Sequence, residues 1–404
     1  MRTSRRIAAA GSIVALSLTG LVACGGDDSG SGASAEPSGS ASAPAVSADD
    51  FTSDFSAMEA LQPVAEQGDG MVAVLLPDTT TSARYVTFDA PYLKQAFESA
   101  GLDSSQFKID NAQGSAATMQ TQAEAAMTSG ASVLLVDPLD SGSGAAIESA
   151  ARDRGVKVVD YDRLTQGGSP DRVYVSFDNV KVGQLIGQGL VDAVDAWNVK
   201  DPNVLVMSGD PTDNNAKLFA EGYNSVLDPL FKAGDYTKVG APAGTWDPDV
   251  AQTTFAQQYT AHPQMNAVVT PNDDNANAVI SYLQSKKVPA RTFPTTGQDA
   301  SLSGLQNILK GYQAGTVYKP IYLEAQAAAA IALYLRAGLD VPDGLVNGTT
   351  ADDQTGDDVA SSLLTPVWVT AENMADTVVA DGAVDVDELC IAALEQACTE
   401  AGID

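Results

Sequence analysis

The feature that most constrains the fold is a regular alternation of short strand-like runs with helical stretches, which begins near residue 70. The run Val133–Val136 is entirely apolar, and residues 156–163 open with three valines in four positions and end with Asp162 beside Arg163. Apolar strands separated by helices are typical of βαβ units in a parallel sheet that is covered on both faces. A second series of this kind begins at Val180. The sequence therefore predicts an α/β protein with two doubly wound parallel-sheet lobes.

The end of the chain supplies further pieces for both lobes rather than a third domain. Two short strand-like runs and an Ala-rich helix follow residue 315, and such pieces need an existing core against which to bury their apolar faces. We predict an N-terminal lobe of residues 69–177 plus 320–362 and a C-terminal lobe of residues 178–319 plus 363–404. Because the chain then crosses between the lobes several times, the lobes are joined by a multi-strand hinge.

The charge of the chain argues against nucleic acid as a partner. The net charge is -30, and only 22 Lys and Arg residues are present in 404. Phosphate backbones are bound by clustered basic residues, which this composition does not supply. An acidic surface favours solubility instead.

The amino terminus predicts an address outside the cytoplasm. Three arginines precede an apolar run at residues 7–18, which is too short for a membrane span and is typical of a signal peptide. Its end, Leu-Val-Ala-Cys, resembles a bacterial lipobox, so we predict a signal peptide at residues 1–23 and lipidation of Cys24; an uncleaved anchor is the alternative. Residues 24–68 are predicted to be a flexible tether, because residues 25 to about 48 contain almost no apolar bulk. The protein is then held at the outer face of the cell membrane by lipid alone.

The remaining cysteines, Cys390 and Cys398, form a possible disulfide. In one unbroken helix they would lie about 12 Å apart along the axis, so a bridge requires a bend between them. Two free thiols are the alternative. With one His in the chain and no zinc-like spacing, we predict no metal site.

Polar side chains follow nearly every predicted strand, including one predicted at residues 293–297. The carboxyl ends of parallel strands are where α/β proteins bind ligands, and carboxylates, amides and guanidinium groups suit the paired hydroxyl groups of a sugar. Helix capping is the alternative for each residue taken alone. Trp246 and Tyr85 offer flat faces to sugar C–H groups. The strand-end residues are 79–84 with Tyr85, Asp162-Arg163, Asp213–Asn215, Asn272-Asp273, Gln298-Asp299 and Lys319.

Catalytic signatures are missing from the sequence. It has no Gly-x-Ser-x-Gly motif, its single His262 precedes a proline, and no glycine-rich phosphate loop lies between a strand and a helix. Asp162 and Asp299 form a conceivable glycosidase pair, but neighbouring cations would keep both ionised, whereas a general acid needs a raised pKa. We therefore predict a protein that is not an enzyme and has no cofactor.

Several of these segments together resemble the type I periplasmic sugar-binding proteins of ABC importers, and within that family the D-xylose-binding proteins. The resemblance covers residues 70 to 386. It is carried by Ser82–Tyr85, Tyr161–Arg163, Val175–Gly183, Asp213–Phe219, Gly297–Ala300, Thr316–Pro320 and Leu363–Pro366.

The resemblance implies a site and a function. The family binds a sugar between two lobes that close over it, and then presents the closed form to the ABC permease subunits. Tyr85 stands where xylose binders usually carry Trp, a feature shared with multiple-aldose-binding members. We therefore predict a monomer that binds a monosaccharide, D-xylose first, with a glucose-, galactose- or arabinose-type aldose as the alternative. The residues implied to line the pocket are Arg84, Tyr85, Asp162, Arg163, Asn215, Trp246, Asn272, Asp299 and Lys319.

Three other functions remain as alternatives. A sugar-sensing receptor component shares every feature above. A cytoplasmic sugar-responsive repressor shares the fold, but the signal peptide and the missing basic helix-turn-helix segment argue against it. An extracellular glycosidase would need the carboxylate pair just described. The segment with Cys390 and Cys398 departs from the family pattern and receives no role.

Overall fold

The computed structural model describes residues 44–79 and 82–403. The predicted signal peptide at residues 1–23, the predicted lipidation site Cys24 and the tether up to residue 43 lie outside the described residues. In the part of the chain that is described, no helix combines the length and the apolar character needed to cross a bilayer.

Strands and helices alternate along most of the chain, as predicted. The strands are β1 Met71–Leu76, β2 Phe107–Asn111, β3 Ala131–Val136, β4 Lys157–Tyr161, β5 Val173–Phe177, β6 Asn203–Val206, β7 Thr237–Gly240, β8 Ala267–Val269, β9 Thr316–Tyr318, β10 Gly348–Asp352, β11 Asp357–Leu364 and β12 Val367–Val369. The helices are α1 Ser56–Glu59, α2 Gln62–Gln67, α3 Ala90–Ser99, α4 Ala116–Thr128, α5 Ser141–Asp153, α6 Asn179–Ala196, α7 Asn214–Ala233, α8 Pro248–Ala261, α9 Asp273–Ser285, α10 Leu302–Leu309, α11 Ile321–Arg336, α12 Val386–Leu389 and α13 Glu395–Glu400. Shorter turns are the 3-10 helix Ala48–Asp50 and the π-helical turns Tyr85–Asp89 and Ala375–Val379.

The first sheet has seven strands in the order β10-β11-β5-β4-β3-β1-β2. All neighbours are parallel except β10 and β11, so the sheet is mixed rather than purely parallel. Along β1, Val72 and Val74 face a core that includes α3 and α11, whereas Ala73 and Leu75 face a core with α4 and α5. This alternation between two buried faces explains the continuous apolar run of the strand.

The second sheet joins β7, β6 and β8 in parallel. Isolated bridges, Val268 to Thr295 and Gln298 to Val317, connect it to the antiparallel pair β9 and β12. Helices α6 and α7 contribute to the core on one side, and α8 and α9 to the core on the other. The prediction of a regular strand at residues 293–297 is wrong, since only Thr295 forms an isolated bridge there. Pro294 has no amide hydrogen to donate to the neighbouring strand.

The chain crosses between the two sheets at three places. They are the connections from β5 to α6, from β9 to α11 and from β11 to β12. The α/β fold with several crossings is confirmed. In the predicted lobe division, residues 363–364 were assigned to the C-terminal lobe, but Leu363 and Leu364 pair with Ser176 and Phe177 of the first sheet.

The predicted tether over residues 24–68 is wrong from residue 46 onward. Phe51, Phe55, Met58 and Leu61 are buried in the core of the first sheet. The composition of residues 25–48 lacks apolar bulk, but the residues after it do not, and they offset the entropy of ordering by burial.

The C-terminal segment, residues 370–403, packs against α10 and the pair of strands β9 and β12. Leu389, Leu394 and Cys398 share a buried cluster with residues of α10 and β9. A disulfide joins Cys390 to Cys398. The chain bends between α12 and α13, which is the bend that a bridge requires.

Candidate functional site

One cavity lies where strand ends of both sheets meet. It has about 300 Å³ of empty space, part of it open to solvent. The structure brings all nine predicted site residues together here, together with four others. The lining residues are Ser82, Arg84, Tyr85, Asp162, Arg163, Asp213, Asn215, Phe219, Trp246, Asn272, Gln298, Asp299 and Lys319.

A tight turn at the end of β4 presents Asp162 to the cavity. The Arg163 amide donates to the Tyr161 carbonyl at 2.7 Å, and Asp162 between them has φ 59°. This left-handed conformation is unfavourable for a residue with a side chain, and it persists only where surrounding contacts hold it in place. The Asp162 carbonyl oxygen accepts hydrogen bonds, each at 2.9 Å, from the side chains of Tyr174, Ser176 and Asn215.

Arg84 links the turn to the first sheet through three buried ion pairs. Its guanidinium lies 2.9 Å from Asp162, 2.6 Å from Asp89 and 2.8 Å from Glu324. Tyr161 also donates to Asp89, at 2.7 Å. Burial opposes the charge of Arg84, but the carboxylates outweigh burial and raise its pKa well above the ordinary value. The Arg84 guanidinium therefore stays charged, and most of its N–H groups donate to these carboxylates rather than to a ligand.

Cations keep Asp162 ionised in spite of its burial. Burial alone would raise the pKa of this carboxyl, but Arg84, Lys319 and Arg163 hold it well below its usual range. The Lys319 ammonium lies 3.8 Å from Asp162 and 3.3 Å from Asp299. A carboxylate held in this way accepts hydrogen bonds but cannot act as a general acid, which argues against the glycosidase alternative.

Tyr85 packs against the two arginines of the site. The guanidinium carbons of Arg84 and Arg163 lie 5.2 and 5.6 Å from the centre of its ring. Its hydroxyl donates to Asp162 at 2.7 Å. Burial raises the pKa of Tyr85 well above its ordinary value, so the phenol stays neutral and keeps its proton. Tyr85 thus orients charged neighbours as well as lining the cavity.

Asp213 joins the two sheets and orients Trp246. Its carboxylate lies 3.2 Å from the Arg163 guanidinium of the first sheet, and it accepts a hydrogen bond from the Trp246 indole at 3.0 Å. The indole meets the Phe219 ring edge-on, with centroids 6.4 Å apart. It also lies so close to Gly209 that any side chain there would overlap it. The position of Trp246 is therefore set from three sides.

The remaining predicted residues come from the second sheet. Asn272 caps α9, since its side chain accepts from the Asn275 amide at 3.0 Å, so capping and cavity lining occur in the same residue. Asp299 has a backbone φ of 92°, so it is the second aspartate of the site, after Asp162, with a strained backbone. Among the described residues, Oε1 of Gln298 is buried without a hydrogen-bond partner, and Oδ1 of Asp299 is buried with only the ion pair to Lys319. Such atoms are available to the hydroxyl groups of a ligand.

Four lining residues are not among the nine that the family resemblance implies. Three of them, Ser82, Asp213 and Gln298, belong to the polar strand-end residues that the sequence predicts, whereas Phe219 was missed. Phe219 follows Asn215 by four positions on α7, so both point from the same helix face. The four-residue spacing from Asn215 would have predicted Phe219 as a lining residue.

Comparison with known proteins agrees with this architecture. The periplasmic binding protein domain matches residues 72–340, and the chain belongs to that family. It is 36% identical over 278 residues to the D-xylose-binding periplasmic protein of Escherichia coli (strain K12), covering 68% of this chain and 80% of that protein. It is 31% identical over 341 residues to the multiple sugar-binding periplasmic protein SbpA of Azospirillum brasilense, covering 79% and 91%.

A solved structure shows the same fold. The carbohydrate transporter solute binding protein from Chloroflexus aurantiacus, in complex with D-glucose, superimposes with a TM-score of 0.70 at 26% identity, covering 78% of this chain and 97% of that one. The resemblance inferred from the sequence motifs is thereby confirmed, as is the type I periplasmic binding protein fold. Membership of a family of binding proteins also confirms that the chain is not an enzyme.

Proposed function

We propose that this protein binds a neutral monosaccharide in the cavity between the two sheets and delivers it to an ABC importer. The proposal is carried by one observation: nine polar and aromatic residues, far apart along the sequence, line a single cavity. Carboxylates, amides and guanidinium groups make the paired hydrogen bonds that adjacent sugar hydroxyls require. The indole of Trp246 offers an apolar face to sugar C–H groups. The names of the relatives support the same ligand class.

D-xylose is the first candidate ligand, because the 36% identical relative is named for it. A broader aldose specificity is the second candidate, favoured by the longer match to a multiple sugar-binding relative. Isothermal titration calorimetry with xylose, glucose, arabinose, ribose and galactose distinguishes the two. If none of the five sugars gives binding heat, the proposal is wrong.

Lys319 provides a sharp test of the site itself. The Lys319→Met change keeps the apolar stem but removes the cation between Asp162 and Asp299, so a sugar hydroxyl held there loses its partner. We expect affinity to fall by about 5- to 150-fold, corresponding to about 1–3 kcal/mol. Lys232→Met, at an exposed position on α7, is the matched control and should bind like the wild type. Equal affinity of both variants would contradict the assignment.

Closure of two lobes over the ligand is part of the proposal. The lobes are those predicted from the sequence, extended by residues 46–68 and with residues 363–364 in the first. Asp213 and Asn215 contact the turn at Asp162 and Arg163 from the other sheet, so these contacts form on closure and open by a hinge motion. Small-angle scattering should show a smaller radius of gyration with sugar than without it. An unchanged radius would argue against the hinge.

Transport and anchoring need experiments in cells. Deletion of the gene should reduce uptake of the bound sugar; normal uptake with a lost sugar response would favour the sensory alternative.

We propose that Cys24 carries the lipid that holds a monomer at the membrane. Cys24→Ala should move the protein from the membrane fraction to the medium, and an unchanged distribution would contradict lipid anchoring.

A further inference from the structure

A second cavity lies beside the proposed sugar site. It has about 1210 Å³ of empty space, part of it open to solvent, and is therefore much larger than the first. Arg84 and Asp299 line both cavities, so the two spaces adjoin at these side chains. A ligand that reaches past these two side chains would occupy both spaces.

Four separate parts of the chain form the walls of this second cavity, among them Asp273 and Asp274 at the start of α9. Thr87 and Phe88 come from the π-helical turn that also carries Tyr85. Leu302 lies at the start of α10, and residues 383–385 with Glu388 come from the C-terminal segment. The family match ends at residue 340. One wall is thus built by a part of the chain that lies beyond the matched domain.

The C-terminal wall is held firmly in place. The side chain of Gln306 on α10 donates to the backbone carbonyl of Glu388 at 2.9 Å. Leu389 is fully buried, and the disulfide between Cys390 and Cys398 follows directly. A preformed wall lowers the entropy cost of binding, since little chain has to be ordered when a ligand arrives.

The lining chemistry suits a neutral, hydroxylated ligand. Phe88 and Leu302 provide apolar surface, while hydroxyl and amide groups are supplied by Thr87, by two serines and by Gln306. Asp274, Asp385 and Glu388 add carboxylates, which accept hydrogen bonds from hydroxyl groups and repel anions. An aromatic face among acceptors is the combination that a sugar ring uses.

From these features we infer that the second cavity is a subsite for a second neutral sugar unit, so that the protein binds disaccharides as well as monosaccharides. The inference rests on the proposed function, because the first unit occupies the cavity at Asp162 and Lys319. The second unit lies against Phe88 and the wall formed by the C-terminal segment.

Calorimetry on the purified full-length protein tests the inference. The ligands are xylose and glucose, their disaccharides β-1,4-xylobiose, cellobiose and maltose, and a disaccharide with a uronic acid as one unit. We expect at least one neutral disaccharide to bind within about tenfold of its monosaccharide, and the uronic acid to bind more weakly because of the carboxylates. A protein that binds monosaccharides but none of the neutral disaccharides overturns this inference alone, whereas one that binds neither overturns the proposed function too.

Two matched variants locate the second unit. Thr87 is exposed and lines the cavity, so Thr87→Trp fills space without disturbing a buried group. Val86 is 53% exposed and does not line it, so Val86→Trp is the control. The first variant should weaken disaccharide binding at least tenfold relative to monosaccharide binding, and the second should not change that ratio. An unchanged ratio in Thr87→Trp, or the same loss in both variants, refutes the location.

Discussion

Asp273 offers a prediction that depends on one buried charge. This residue is 1% exposed at the start of α9, and its carboxylate accepts hydrogen bonds from Gln313 at 2.7 Å, Thr316 at 2.9 Å and the Ser301 amide at 2.8 Å. No cation pairs with it among the described residues. Burial raises its pKa from 3.8 to about 7, although the hydrogen bonds oppose this, and Asp299 nearby adds to the rise.

The sign of the resulting pH dependence follows from proton linkage. Because the folded-state pKa lies above the unfolded-state value, the folded protein holds its proton more tightly. The stability that this provides is complete below pH 3.8 and is lost as pH rises towards 7. In that window, each rise of one pH unit lowers the free energy of unfolding by about 1.4 kcal/mol. This group alone should therefore lower the free energy of unfolding by about 3 kcal/mol between pH 5 and pH 8.

Asp273→Asn removes the titration but keeps the size of the side chain. Urea denaturation of wild type and variant at pH 5 and pH 8 gives the difference in free energy of unfolding at each pH. We expect this difference to shift by about 3 kcal/mol in favour of the variant at pH 8. Asp387→Asn is the control, since it removes the same charge from an exposed position. A difference that is equal at both pH values, or that shifts towards the wild type, would refute the reasoning.

Three further changes test the site and its supports. Gly209→Ala places a methyl group against the Trp246 ring; overpacking of this kind costs about 1–3 kcal/mol, which a thermal-shift assay should detect, together with weaker sugar binding. Replacing Cys390 and Cys398 with Ser opens a loop of about nine residues and should lower the free energy of unfolding by about 2–3 kcal/mol, measured by urea denaturation against the oxidised wild type. Arg84→Met leaves buried carboxylates without their cation and should destabilise by about 3–5 kcal/mol, with a smaller loss at pH 5 than at pH 8.

Local patterns predicted some contacts but not those that bridge distant segments. Arg84 and Glu324 are separated by 240 residues, and nothing in the sequence near either one identifies the other as its partner. The low-complexity composition ends near residue 48, but the predicted tether continues to residue 68. That continuation is the reason why the prediction is wrong for residues 46–68. Phe51 and Phe55 in that segment are apolar bulk that favours burial. Where such residues bury depends on the core that the rest of the chain provides.

By itself, the sequence determined the α/β class and the edge of each sheet at which polar residues gather. Both follow from local physics: the period of apolar residues sets the element type, and parallel strands bring their carboxyl ends to a common edge. Only the tertiary structure decided how the two edges face each other. The strained turn at Asp162, the bridging position of Asp213 and the wall formed by the C-terminal segment all depend on the docking of separate layers. Docking is a property of complementary surfaces, which no short stretch of sequence encodes alone.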